Sequence, residues 1–370
     1  MTENQTAKAE KIFPNQLQSK FEPKANIQNI NSNYMLQNLF NMIPKKKSLL
    51  ITIYSKSLQN RINININDYK NYCEQYSSIE LEITPARDKF GLFINTKDFK
   101  NFHVYFNYNG KEKKANYITK EDKVTKIKIV IDHPITSFNN LFYKCKAIES
   151  IIFKKFYRTN ITDMSSMFTK CKSLKEITFS QFKTDKVTNM QYMFYKCIAL
   201  KKLNLSEFDT KLVTNMKYMF YKCSSLKALN ISSFNTNNVD NMHKMFFGCL
   251  ALNKLDLSNF NTDKLKVMDD MFHGCSSLIE LDISKFNTSL VTDMRYMFFG
   301  CSSLKGLNVS SFNTINVMHM NYMFSGCSAL KDLDISNFII NSSAYTSDTF
   351  TGCLPELIRK IKAQNKNIKI

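Results

Sequence analysis

The chain has 370 residues, of which 44% are hydrophobic and 13% aromatic, so it can bury a sizeable core and is not disordered as a whole. Its 51 Lys and Arg outweigh 31 Asp and Glu to give +20, which admits an anionic partner of some kind: nucleic acid, membrane surface or acidic protein. Only 8 Gly argue against Gly-rich phosphate cradles, and 10 Cys are too few to staple a chain of this length with disulfides.

Residues 1–45 read as a polar arm. Met1–Gln16 lacks the apolar core of a secretory signal, and the apolar cluster Tyr34–Met42 predicts one short helix. Residues 46–122 alternate in the manner of strands, expected at Leu49–Tyr54, Ile62–Ile66, Ile79–Ile83, Lys89–Ile94 and His103–Tyr108. Asn109-Gly110 is a strong two-residue hairpin signal and predicts pairing of His103–Tyr108 with Ala115–Thr119. This β-rich region is either a small domain or an N-terminal cap on the segment C-terminal to it.

Residues 123–353 form a repeat. Cys145, Cys171, Cys197, Cys223, Cys249, Cys275, Cys301, Cys327 and Cys353 are spaced 26 residues apart without insertion or deletion. Within one unit, Met190, Met193, Phe194, Cys197 and Leu200 trace the apolar stripe of a short helix, with Thr188 and Asn189 as N-cap candidates. Leu200, Leu203 and Leu205 then switch to strand-like alternation, and Phe208 turns back into the core. One unit alone leaves its apolar face open, so the units must stack. The expected fold is an α/β repeat solenoid, leucine-rich-repeat-like, with a short strand and a short helix in each rung. Lys126–Ile131 is expected to form the strand of a degenerate first rung. At the far end Thr346 and Thr349 replace the two Met, Pro355 breaks the unit, and residues 354–370 are expected to form a cap and tail around Leu357, Ile358 and Ile361.

The unit M-x-x-M-F-x-x-C-x-x-L-x-x-L-x-L-S-x-F-x-T resembles the BspA-like 26-residue leucine-rich repeats of bacterial and protist surface proteins, including mycoplasma-type lipoproteins. The resemblance covers residues 131–353. It implies a surface-exposed protein-binding or adhesion role and carries no catalytic residues with it. No lipid-anchor cysteine or apolar run of the ~18 residues needed to span a bilayer is present, so the residues themselves predict a cytoplasmic location, with the cell surface as the alternative that the resemblance implies.

The cysteine ladder lacks C-x-x-C spacing, and successive rungs are expected to hold the thiols too far apart for disulfides. Small, reduced, buried side chains are expected, with no metal and no cofactor. His243 and His273 fall on positions expected to face solvent as isolated residues. The serine ladder from Ser206 to Ser336 repeats, whereas catalysis needs one unique constellation, so an enzyme is not expected.

Two surfaces remain as candidates for a protein ligand. The outward strand positions Asn204, Asn230, Asp256, Asp282, Asn308 and Asp334 form a polar face without aromatics, which speaks against nucleic acid. Lys144, Lys170, Lys196 and Lys222, then Lys175, Lys201 and Lys227, form basic rows beside Tyr192, Tyr195, Tyr218 and Tyr221. This strip would suit an acidic partner, and in the alternative reading it docks an intracellular scaffold subunit into a larger assembly. The charge is spread along the chain: residues 1–130 carry 21 basic against 12 acidic residues, and the rest 30 against 19.

Overall fold

The computed structural model describes residue 27, residues 30–366 and residue 368, and these divide into two compact units between Ser77 and Ser78. Most of the polar arm lies outside the described residues.

The first unit is helical: α1 (Asn33–Met42), α2 (Lys45–Thr52), α3 (Lys56–Arg61) and α4 (Ile66–Tyr76). The short helix expected at 34–42 is α1. Side-chain oxygens of Ser32, Ser55 and Asn65 accept from the first free N–H groups of α1, α3 and α4. Leu36, Phe40, Leu49, Ile53, Leu58, Ile62, Ile64 and Tyr69 form the core. The strands expected at Leu49–Tyr54 and Ile62–Ile66 are therefore a correction. A short apolar run does not distinguish strand from helix, and Leu49 and Ile53 meet the core one helical turn apart. Ile62 and Ile64 do alternate, but in the link between α3 and α4.

The second unit begins with a sheet built from β1 (Ile79–Pro85), β3 (Phe102–Phe106), β4 (Glu112–Lys113), β6 (Ile127–Ile131), β7 (Ile148–Lys155) and β8 (Glu176–Phe179), in the order β4-β3-β6-β1-β7-β8. The strand β2 (Gly91–Leu92) pairs separately with β5 (Tyr117–Ile118). A hairpin does turn through Asn109-Gly110, but its connection is the longer segment 107–111 rather than two residues, and its second arm is β4 rather than Ala115–Thr119, with Val104 opposite Lys113. Lys126–Ile131 is also corrected. As β6 it pairs antiparallel with both β1 and β3, because alternation fixes which face is buried and not the direction of the neighbour. The first solenoid strand is β7, antiparallel to β1 on one side and parallel to β8 on the other. The β-rich segment thus continues the solenoid sheet as a cap. Arg158, fully buried, fastens the junction by donating to the carbonyls of Ile131 and His133.

The rungs stack in parallel at the 26-residue period, through β9 (Lys202–Asn204) and β10 (Ala228–Asn230) and beyond. The expected helix in each rung is the main correction. The N–H groups of Met193, Tyr195 and Cys197 donate three residues back, to Met190, Tyr192 and Phe194. Those of Met190, Tyr192, Phe194 and Lys196 donate instead to Asn215, Lys217, Met219 and Tyr221 of the next rung, at 2.7–3.3 Å. Tyr192 and Lys196 both adopt φ of +58°. The segment is a train of tight turns whose other donors are spent on the neighbouring rung. Its four-residue period and the 3.6 of a helix place the same residues inward over so short a stretch, and so the stripe alone could not separate them. Asn189, expected as a cap, accepts from the N–H of Gln191 and closes the first of these turns.

The core is a set of ladders. Phe142, Phe168, Phe194 and their successors to Phe350 stack ring on ring at 5.3–5.6 Å. Regular strand geometry ends at Asn230, although burial still alternates in later rungs, as at Leu255 and Leu257. The last rung is covered by α5 (Pro355–Gln364), which starts on Pro355 and buries Leu357 and Ile361. Gln364 and Asn365 satisfy the Ile335 N–H and the Phe338 carbonyl, groups that a further rung would otherwise take up.

Candidate functional site

The turn train forms one flank of the solenoid and carries the expected Lys and Tyr strip. Lys144, Lys170, Lys196 and Lys222 share one left-handed position with φ of 54–63°, which Gly248, Gly274, Gly300, Gly326 and Gly352 occupy in later rungs. The exchange of Lys for Gly thus happens at a backbone conformation that strains any side chain and that glycine adopts freely. Tyr192 stacks on Tyr218, and Tyr195 on Tyr221, both at 4.7 Å. The second row runs on through Phe247, His273 and Phe299. The Lys196 ammonium lies 5.1 Å from the Tyr195 ring centre, and that of Lys222 lies 5.5 Å from Tyr221. Partial burial raises the phenol pKa of Tyr192, Tyr218 and Tyr221. Lys175, Lys201 and Lys227 stand apart, at the corner where the flank turns into the sheet face. Their backbones are linked in sequence, and Lys175 pairs with Glu149 at 2.7 Å.

The sheet face holds the second set. Asn204, Asn230, Asp256, Asp282, Asn308 and Asp334 are all exposed, and each accepts from the N–H two residues on at 2.9–3.1 Å. Their oxygens are therefore partly committed to local turns, and this lowers the carboxyl pKa of Asp256 and Asp334. Between these side chains and the preceding row lies a shallow groove of about 990 Å³ over residues 176–282. Ile177, Leu203, Leu229, Leu255 and Leu281 floor it, Glu176 stands at its first rung, Lys202 and Lys254 with Lys227 at the corner line its central rungs, and Asp256, Glu280 and Asp282 close its far end.

Sequence reasoning missed one cluster. His243 is half-buried between the Tyr218 hydroxyl at 2.9 Å and the Asp269 carboxylate at 2.8 Å, and His273 meets Asp270 at 2.7 Å. These histidines are not isolated surface residues. The signal was available, since Asp269 and Asp270 lie 26 residues after His243 and Lys244, directly alongside them in the stack. The order Tyr, His, Asp has the outline of a proton relay, but burial raises the pKa of the Tyr218 phenol, opposite to what an activated nucleophile needs. Tyr218, His243 and Asp269 themselves line a second shallow pocket of about 560 Å³, and burial also raises the Asp293 carboxyl there. No group of His, Cys, Asp and Glu suited to a metal ion occurs among the described residues. All ten cysteines are free and buried.

The repeats match the family model described as Mycoplasma protein of unknown function, DUF285, over residues 136–254, 201–280 and 277–363, together more than half of the chain. The chain belongs to this family. Its 26-residue unit is the BspA-like leucine-rich repeat. Among solved structures, the family member is similar to a leucine-rich repeat protein from Eubacterium ventriosum, with 20% identity and a TM-score of 0.34 over 50% of this chain and 48% of that one. It spans about half the length of that protein. It is also similar to leucine-rich repeat proteins from Bacteroides ovatus (17% identity, TM-score 0.30, 64% and 72% covered) and T. pallidum (18%, 0.25, 40% and 73%). No curated protein matches it. Among the described residues no helix is long and apolar enough to cross a membrane.

Proposed function

We propose that the chain is a non-enzymatic protein-binding module that docks its partner on the sheet face of the solenoid, in an adhesive role of the kind BspA-like surface proteins have. The observation that supports this reading best is the groove over residues 176–282, where an apolar floor is flanked by lysines at its middle and carboxylates at its end. A rigid stack presents such a surface already formed, so binding does not have to order it. The partner that fits carries a short apolar ridge with acidic residues opposite Lys202, Lys227 and Lys254 and basic residues opposite Asp256, Glu280 and Asp282.

The test is site-specific photo-crosslinking in the full chain within its source cells. A crosslinker at Ala228, in the groove, is expected to capture one protein, and the charge reversal D256K/E280K/D282K is expected to abolish that product. Capture that survives the reversal, or equal capture from Ser302 outside the groove, would overturn the proposal. Protease treatment of intact cells then separates the adhesive role, in which the chain is cut, from the competing role of a scaffold subunit inside a larger assembly, in which it is protected.

A further inference from the structure

The flank is basic in its early rungs and close to neutral in its later ones, where Lys244 pairs with Asp270 and Arg295 with Asp293. In the turn trains of the first four rungs, residues 137–147, 163–174, 189–200 and 215–226, Asp163 is the only acidic residue. The same segments carry Lys144, Lys146, Lys170, Lys172, Lys196, Lys217 and Lys222, and none of these pairs with a carboxylate among the described residues. In the next rungs Asp269, Asp270 and Asp293 enter the flank, and Gly248 and Gly274 replace the lysine at the left-handed position.

Three further features decide what such a surface fits. Its side chains stand in straight rows one rung apart, and the shallow pocket around His243 reaches only the last two of these rungs, at Tyr192, Lys217 and Tyr218. Its charges are lysines. Arginine, whose planar fork suits bidentate recognition of a single phosphate or carboxylate, is absent from these four segments, whereas the ammonium is a hydrated point charge suited to a diffuse field. Finally, the ammonium groups of Lys144, Lys196 and Lys222 stand over half-buried tyrosines (Tyr143, Tyr195 and Tyr221), and tyrosine beside lysine is the pairing that settles at the headgroup level of a bilayer. Tyr192 and Tyr195 each give a ring face to Tyr218 and Tyr221, which withdraws those faces from a nucleic-acid base.

We propose that this flank adsorbs reversibly to an anionic bilayer surface, by electrostatic attraction and without insertion, so that the sheet face is held exposed beside the membrane. It involves a different face from the protein-binding groove and stands or falls separately.

Co-sedimentation of the full chain with vesicles tests it. Binding is expected to vesicles of phosphatidylserine and phosphatidylcholine, not to phosphatidylcholine alone, and is expected to fall at least tenfold when salt is raised from about 0.05 to 0.3 M. With about fivefold per lysine near such a surface, K144G/K170G/K196G/K222G is expected to weaken binding by two to three orders of magnitude. It installs the residue that later rungs carry at this position, so its melting midpoint should stay near that of the parent. K146Q/K172Q, at ordinary backbone positions, is expected to weaken binding about 25-fold, and the four Lys→Arg changes should preserve it. Equal binding to neutral vesicles, or binding indifferent to both sets of substitutions, would overturn the proposal. So would retention on polyglutamate resin with no binding to anionic vesicles, which would make the flank an acidic-protein surface instead.

Discussion

The thiol of Cys197 donates to the backbone carbonyl of Phe168 at 3.1 Å, and that carbonyl also accepts from the N–H of Cys171. The same bond joins Cys171 to Phe142, Cys223 to Phe194 and so on to Cys353 and Phe324. Each turn train leaves a carbonyl with a free lone pair inside an apolar core. Cysteine is small enough to sit there and supplies a weak donor. This is a structural reason for the ladder that needs neither metal nor disulfide.

Replacing Cys197 by Ala removes the donor and leaves a small void, and the expected loss is about 1–2 kcal/mol, read as a lower urea midpoint with unchanged slope. Because burial lifts the thiols, that of Cys275 to about 12, none of the solenoid cysteines should react with a maleimide at pH 7.5 in the folded state. All ten should react once the chain is unfolded.

A second ladder closes the opposite edge of each rung. The Thr210 hydroxyl donates to the Asn235 carbonyl at 2.9 Å and accepts from the Asn235 N–H at 2.8 Å, and Thr236, Thr262 and Thr288 repeat the pair. Thr210→Val keeps the shape and leaves the N–H and carbonyl of Asn235, both in part-buried hydrogen bonds, without their partner. The expected cost is about 1–3 kcal/mol, larger than for the same change at exposed Thr214, and thermal denaturation of the two variants compares them directly.

The left-handed row predicts an asymmetry. At Gly326, with φ of +76°, an added Cβ would come within 3.3 Å of the Gly300 backbone, so Gly326→Ala is expected to destabilise by about 1–3 kcal/mol. Lys196→Gly relieves a non-glycine residue at +58° and loses only its contacts with Tyr195 and Tyr221. Its melting midpoint should change by no more than a few degrees, in either direction.

The same ladders set how far the fold was legible in the sequence. Identical residues at a fixed interval must stack, so the solenoid, its register and its buried rows were legible from Cys145 to Cys353. The turn train was not, because inward-facing Met190, Met193, Phe194 and Cys197 satisfy a helix equally well, and only the left-handed backbone of Tyr192 and Lys196 excludes one. Leu49–Tyr54 failed for a related reason, since six apolar-rich residues carry no measurable period. The Lys and Tyr rows of the flank were legible because they repeat. The His243 cluster was not, because it depends on reading departures from the repeat across neighbouring rungs rather than the repeat itself.

The cap sheet predicts a pH dependence. Glu82 pairs with Lys126 at 2.8 Å and Lys154 at 3.5 Å and accepts from the Tyr108 hydroxyl, and these contacts, led by the Lys126 hydrogen bond, lower its carboxyl from 4.5 to about 2. A carboxyl depressed in the folded state contributes stability above its unfolded pKa, and that contribution is lost as pH falls through the folded value. The window is therefore about pH 4.5 down to 2. The lysines are partly exposed, which screens the pair, so the contribution at pH 7 is about 1–2 kcal/mol. Glu82→Gln should lower the denaturant midpoint at pH 7 by that amount, with the gap from the parent closing across this window as both proteins are titrated. A gap of constant size from pH 7 to pH 2.5 would show that packing around residue 82, rather than its charge, holds the cap.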